Sequence, residues 1–397
     1  MRQPRSLLIT APFLCLLAPA LCALQGEPYF PPRGEWAARA PEEVGLDPVL
    51  LALAVDFARE HEAATPIDLR EYIASTLANE PHGELIGPVR ERGPRSGLIL
   101  RRGYLVAEWG EPERVDMTFS VTKTYLSTVV GLAHDRGLIP DVHARVHELV
   151  PVEHFEGAHN GAITWDHLLR QTSDWRGTLF GKPDWADRPP RELGLEELPH
   201  QPLHEPGSHW KYNDVRVNLL AWAALQVLRE PLPVVLRREI MDPIGASASW
   251  RWNGYENSWV VLDGQRIQSV SGGGHWGGGM WINSYDHARF GYLFLRMGRW
   301  GERRLISEEW IALARTPSEP NPSYGYMNWF LNGPSSASGG EARLPMPSAP
   351  ASSVTFRGAG SNIIYVDWEN DLVIVVRWID SSLDAFVGRV LAAIREN

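Results

Sequence analysis

Residues 118–127 read TFSVTKTYLS. A hydroxyl, Ser120, stands three positions ahead of an amine, Lys123, and an apolar run follows as far as the glycine stop at Gly137. The apolar spacing predicts a helix, and a three-residue step on a helix puts both side chains on one face. A hydroxyl at a helix N-terminus lies where the free N–H groups and the dipole favour negative charge. An amine one turn further on can take the serine proton if burial disfavours its charged form. The same residues also describe an ordinary helix start with a solvated lysine, so this stretch alone does not decide its own reading. A second serine–lysine pair at this spacing, Ser208 and Lys211, follows Pro206-Gly207 in a turn with no helix behind it.

Working outward, residues 95–112 (RSGLILRRGYLVAEWGEP) read as two strands around a turn at Arg102-Gly103. Near the other end, NIIYVDWENDLVIVVRWID gives two more strands around Glu369-Asn370, followed by a last helix in SSLDAFVGRVLAAIREN. An early helix begins at Asp47, an acidic N-cap, and another begins at Asn283 or Ser284. Strands early and late with helices between them predict an α+β fold. One antiparallel sheet forms from the N- and C-terminal strands, flanked by helices, and a mostly helical subdomain is inserted. The sheet part takes about residues 45–135 and 270–397 and the helical part about 136–269. A cleft between the two is the natural place for a site.

The composition, 44% hydrophobic and 22% charged over 397 residues, is that of a globular chain. A net charge of −10 without a basic block argues against nucleic acid as a partner. Residues 1–23, MRQPRSLLITAPFLCLLAPALCA, have two arginines, an apolar stretch and small residues at the end, the pattern of a secretory signal peptide. Cleavage after Cys22 or Ala23 would remove both cysteines and leave a mature domain, 24–397, without a thiol. The expected location is periplasmic or extracellular, with no stable membrane anchor after cleavage.

The boxes that follow Ser120 carry a resemblance. GLIPDVHARVHELVPVEHFEGAHNGAITWDHLLRQTSDW, EPGSHWKYNDVRVNLLA, GGGMWINSYDHARFGYLFLRMGRWGERRLISEEWI and FRGAGSNIIYVDWENDLVIVV occur in that order. Together they resemble the serine β-lactamase-like family, which includes class C β-lactamases, DD-peptidases and related esterases. The likeness spans about residues 45–395 and implies a β-lactamase/transpeptidase-like fold. It gives Ser120 the role of acylated nucleophile, Lys123 that of its general base, and Tyr212 that of a proton relay. The backbone N–H groups of Ser120 and Ala359 match the oxyanion hole, and Gly358 lets substrate approach the strand edge.

Two boxes depart from the family. Asp214 stands where a class C enzyme has asparagine. A carboxylate only accepts hydrogen bonds, so it would pair with Lys123 and keep it charged more firmly, or else cap the helix that begins at Val215. Phe356-Arg357-Gly358 replaces Lys-Thr-Gly, and strand alternation turns Arg357 away from the face of residue 356. Both departures predict a poor β-lactamase that acts on an ester or amide through a Ser120 acyl-enzyme. A D-amino-acid peptidase of the penicillin-binding type, or an inactive binding member of the family, is the alternative.

No cofactor or metal is expected. Six histidines lie between His134 and His167, but they lack a zinc-protease motif. His275, between two glycine triplets, is a candidate lining residue whose bland reading is a loop imidazole bonded to backbone. Of seventeen tryptophans, Trp165, Trp175, Trp185, Trp210, Trp276 and Trp281 fall in segments expected around the cleft. Most tryptophans are expected in the core, but these six could build an apolar or stacking acyl pocket.

Overall fold

A computed structural model describes residues 28–334 and 342–395. The leader expected at 1–23 lies outside them.

The regular elements that place the site begin with helix α1 (Pro48–Glu60), whose first N–H groups are taken by the Asp47 carboxylate. Strands β1 (Ser96–Arg101) and β2 (Tyr104–Trp109) come next, then the short β3 (Asp116–Met117) and helix α2 (Thr122–Asp135). Helix α3 (Asp214–Leu228) lies in the insertion. Beyond it come strands β4 (Arg251–Leu262), β5 (Gln265–Val270) and β6 (Gly279–Ile282), and helix α4 (Ser284–Leu295). Strands β7 (Trp329–Leu331), β8 (Val354–Gly358), β9 (Asn362–Asp367) and β10 (Leu372–Arg377) lead to helix α5 (Leu383–Ala392).

The main sheet has the order β7-β8-β9-β10-β1-β2, antiparallel throughout. Its centre is the predicted union of the chain's two ends: β1 pairs with β10, Ser96 opposite Arg377 and Arg101 opposite Leu372. Alternation then sorts the side chains. Ile99, Ile363, Ile374 and Val376 face α1 and α5, whereas Leu98, Leu100, Ile364 and Val375 face α4 and α2. Both faces are covered, which explains why β1, β9 and β10 are buried along their whole length.

The insertion is less helical than its sequence suggests. Helix α3 is its one long helix among the described residues, and the segment ends in the hairpin β4–β5. That hairpin turns at Asp263-Gly264, both with positive φ, and joins a second sheet of order β3-β6-β4-β5. The second sheet connects the insertion to the start of the turn that carries Ser120. Thr118 donates its N–H to the Met280 carbonyl at 3.0 Å, and the Thr122 hydroxyl accepts from the Met280 N–H at 3.1 Å.

Candidate functional site

Ser120 lies in a single 3₁₀ turn, Phe119–Val121, that feeds α2. Phe119 has φ +47°, a left-handed backbone that costs a bulky L-residue about 1–2 kcal/mol. Packing holds it there: its ring meets Tyr72 and Trp378 edge-on, and Val121 and Tyr125 are fully buried behind it. His287 of α4 ties the same turn down. One ring nitrogen lies 2.7 Å from the Thr118 hydroxyl and the other 2.8 Å from the Tyr125 hydroxyl. Burial, reinforced by Arg377, pushes the His287 pKa well below its ordinary value, so the imidazole is a neutral strut.

Lys123 and Ser120 meet as the three-residue spacing requires. The amine donates to Ser120 Oγ at 2.7 Å and to Asp214 Oδ1 at 2.6 Å. Its side chain has no exposure, and that of Asp214 has 1%. Ser120 itself is partly exposed. Tyr212 stands beside the pair: Lys123 Nζ lies 4.7 Å from its ring centre, and Ser120 is among the groups that act on its phenol. The three predicted residues are therefore brought together around one hydroxyl.

Asp214 does not cap its helix. Asn213 does, accepting from the Arg216 N–H, so Asp214 is left in the first turn of α3 to face Lys123. Burial alone would raise its pKa, but the charges of Lys123 and Arg188 prevail and hold the carboxyl well below the usual range. Tyr212 moves the other way. Burial, with the Asp214 charge next, pushes the phenol up, and it stays protonated at neutral pH.

Gly273 explains part of the glycine-rich run. A β-carbon there would fall on Asp214 Oδ1 and on Lys123 Nζ at once, so only glycine lets this loop close over the ion pair. Gly358 makes a second close approach. A β-carbon at that position would strike the Thr118 carbonyl and stand 3.2 Å from the Ser120 N–H nitrogen. The end of β8 is thereby held against the Ser120 turn, with Ala359 next in the chain. Asn328 fastens the two segments, its amide donating to the Ser120 carbonyl at 2.5 Å and also to the Arg357 carbonyl.

Position 356 is core. Phe356 is fully buried against Phe294 at 5.3 Å and Trp329 at 4.8 Å. Arg357 points to the other face, as alternation requires, donating to the Thr355 hydroxyl at 2.6 Å and lying 5.3 Å from the Phe330 ring centre.

The second serine–lysine pair lies in a turn, as its sequence suggests, and the Ser208 hydroxyl turns back to the Glu205 carbonyl. Other expectations need correction. Trp165, Trp175 and Trp276 are buried core residues, not pocket walls. Among the six tryptophans Trp210 does border the site, 6.1 Å from the Tyr212 ring. His275 is bonded to side chains rather than backbone: to Glu80 at 2.7 Å and to Arg188 at 3.1 Å. Arg188, Asp187 and Glu80 escaped the sequence reading. Arg188 donates to Asp214 Oδ2 at 2.8 Å, and its guanidinium carbon lies 5.0 Å from the Tyr212 ring centre. A cavity of about 210 Å³ opens beside Arg188, lined also by Trp185, Leu203 and Lys211. A larger one of about 540 Å³ is lined by none of the Ser120 cluster; Trp36 and Arg289 belong to it.

A family model described as Beta-lactamase matches residues 101–378. No curated protein matches the chain. Among solved structures, a penicillin-binding protein homolog from Caulobacter crescentus is 15% identical with a TM-score of 0.54, over 88% of this chain and 99% of its own. A beta-lactamase/D-alanine carboxypeptidase from Pseudomonas syringae is 15% identical with a TM-score of 0.51, over 82% of this chain and 99% of its own. A family VIII carboxylesterase, 17% identical with a TM-score of 0.50, is matched over 82% of this chain and 95% of its own. At such identities the likeness is one of fold. The family match, however, runs from the end of the first central strand to just beyond the last, across every box that meets at Ser120, and the chain belongs to the beta-lactamase family of serine hydrolases.

Proposed function

We propose that this protein is an exported serine hydrolase that cleaves a small ester or amide through an acyl-enzyme on Ser120, and that it is a poor β-lactamase. One observation carries the reading: a partly exposed hydroxyl receives a buried amine at 2.7 Å, and the Tyr212 ring lies 4.7 Å from that amine. In the forward step Ser120 Oγ bonds to the substrate carbonyl carbon and its proton passes to Lys123 Nζ. The Ser120 and Ala359 N–H groups receive the oxyanion. Tyr212, protonated at neutral pH, is suited to deliver a proton to the leaving oxygen or nitrogen as the carbonyl–leaving-group bond breaks. Water then reverses the sequence and frees the acid.

Two features support the ester or amide preference. Phe356 fills the core where the resemblance expects a carboxylate-binding lysine, and Asp214 cannot donate to a substrate carbonyl. The test is a substrate panel of p-nitrophenyl esters, nitrocefin and D-alanyl peptides, with fluorophosphonate labelling of the wild type and Ser120→Ala. The expected result is ester turnover well above nitrocefin turnover and labelling abolished in the variant. Strong nitrocefin hydrolysis with weak ester hydrolysis, or labelling that survives Ser120→Ala, would overturn it. Export is tested by the mass of the secreted chain, which should begin at residue 23 or 24; an intact leader would count against it.

A further inference from the structure

Lys123 must give up its proton before it can take one from Ser120, yet it faces a buried carboxylate at 2.6 Å. A full negative charge this close, out of water, favours the charged form of an amine over the neutral one. The structure places a second cation on the far oxygen of that carboxylate. Arg188 Nη1 donates to Asp214 Oδ2 at 2.8 Å and to Asp187 Oδ1 at 2.5 Å, and Nη2 donates to His275 Nδ1 at 3.1 Å. His275 accepts on Nδ1 and so presents Nε2–H to Glu80 Oε2 at 2.7 Å. Glu80 in turn receives the Arg188 backbone N–H at 3.2 Å, and Asp187 receives the Asp214 backbone N–H. Arg188 is held at φ +48°, a conformation that an arginine adopts only when its surroundings fix it. The side chain is nevertheless 38% exposed and lines the cavity of about 210 Å³ described above.

We propose that Arg188 is a positioning residue for the base: by binding Asp214 Oδ2 it offsets the carboxylate's charge at Lys123 and eases release of the lysine proton. This rests on the acyl-enzyme reading given above. The guanidinium is permanently charged, so its field at the pair does not vary over the working pH range. Asp187, His275 and Glu80 form the cage that keeps it there. The same three side chains bring ligand atoms within 4.8 Å of one another, a set that a divalent cation could use. Arg188 already occupies the Asp187 oxygen in that set, and a metal would put two cations on one atom. The titratable and charged groups facing Lys123 and Asp214 are Tyr212, Tyr324, Tyr255, Asp187, Arg188 and His275, with Glu80 behind. Of these only Arg188 is a fixed cation.

The experiment is the pH profile of kcat/KM for the full chain as wild type, Arg188→Gln and Arg188→Lys, on the best ester of the panel. Arg188→Gln should move the acid limb upward by about one to three pH units. Activity is then lost roughly tenfold or more near neutrality and regained at alkaline pH. Arg188→Lys, which keeps the charge on a shorter reach, should shift the limb less, and it serves as the test if the glutamine variant does not fold. A uniform loss with the limb unmoved in both variants would overturn the proposal, because a merely structural role acts equally at all pH. Inactivation by a chelator with recovery on adding a divalent metal would overturn it too, by giving the cage to a metal. Ser120→Ala separates the two claims. If Ser120→Ala abolishes labelling while the Arg188 limb stays put, only this inference fails. If labelling survives, the acyl-enzyme reading falls first.

Discussion

Replacing Asp214 by asparagine restores the residue type that the resemblance expects, and the structure predicts that the change is costly. Lys123 has no exposure, and Asp214 Oδ1 is 2.6 Å from its amine. With an effective dielectric constant of about 20, charges at that distance attract by roughly 6 kcal/mol. Desolvation offsets much of this, and removing one partner of a buried pair costs about 3–5 kcal/mol. The amide oxygen still accepts from Lys123, so the expected loss is at the low end, about 3 kcal/mol. Urea unfolding followed by tryptophan fluorescence would measure it. The pH dependence gives an independent check. The Asp214 carboxyl is held below its usual 3.8 in the folded protein, so its contribution is present above that value and is lost as pH falls through and below it. The stability gap between wild type and variant should therefore narrow below about pH 4. In activity the acid limb of kcat/KM should move downward, opposite to Arg188→Gln, because the charge that holds the lysine proton is gone. A loss under about 1 kcal/mol would refute the buried-pair argument, since that is the size of an exposed pair. So would a limb that moves upward.

Three further outcomes follow from the packing. Gly273→Ala pushes a methyl into both Lys123 and Asp214, and should cut ester turnover by about a hundredfold or more through misplacement of the base, with the overall fold preserved by circular dichroism. His287 is neutral in the fold but takes a proton below about 6.5 when unfolded, so stability should fall as pH drops below that value, by at most roughly 1.4 kcal/mol per pH unit. Urea midpoints of the wild type and His287→Gln between about pH 5 and 7 should show that slope flattened in the variant. Phe356→Lys places an amine among Phe290, Phe294 and Trp329 and should cost more than about 4 kcal/mol without any gain in nitrocefin hydrolysis.

The parts legible in the sequence are those set by local rules. The turn at Arg102-Gly103 has positive φ at both residues, and the Asp47 and Asn283 side chains cap their helices. The Ser120–Lys123 contact follows from helical spacing alone. The hairpin β4–β5 was missed although Asp263-Gly264 is a strong turn signal. Its strands alternate buried with polar, exposed residues such as Glu256 and Asn257, and so carry no long apolar run. Arg188 and Glu80 were out of reach for a different reason. Their partners lie 26 and 195 positions away, Asp214 and His275 respectively, on loops with no periodicity to read. The tryptophans misled because composition gives their number and not their side: Trp276 follows His275 directly but turns into the core.

The two departures from the family boxes have a common physical cause in the position of the cations. A lysine at residue 356 would have to leave the aromatic packing between α4 and β7 to reach the cleft, and the chain has spent that site on core volume. Arg357, one residue on, faces away over Phe330 and does not replace it. The fixed positive charge beside Tyr212 comes instead from the insertion, through Arg188, and it is anchored to a carboxylate at 214 that an asparagine could not match in charge. An arginine on a loop, partly exposed and tethered by hydrogen bonds to Asp187 and His275, is matched less rigidly to a substrate carboxylate than a cation on the strand edge would be. Its charge is directed at Asp214 and Tyr212, the groups proposed to handle protons. This arrangement supports the proposed preference for small substrates without an obligatory carboxylate, the class that an ester panel samples and nitrocefin does not.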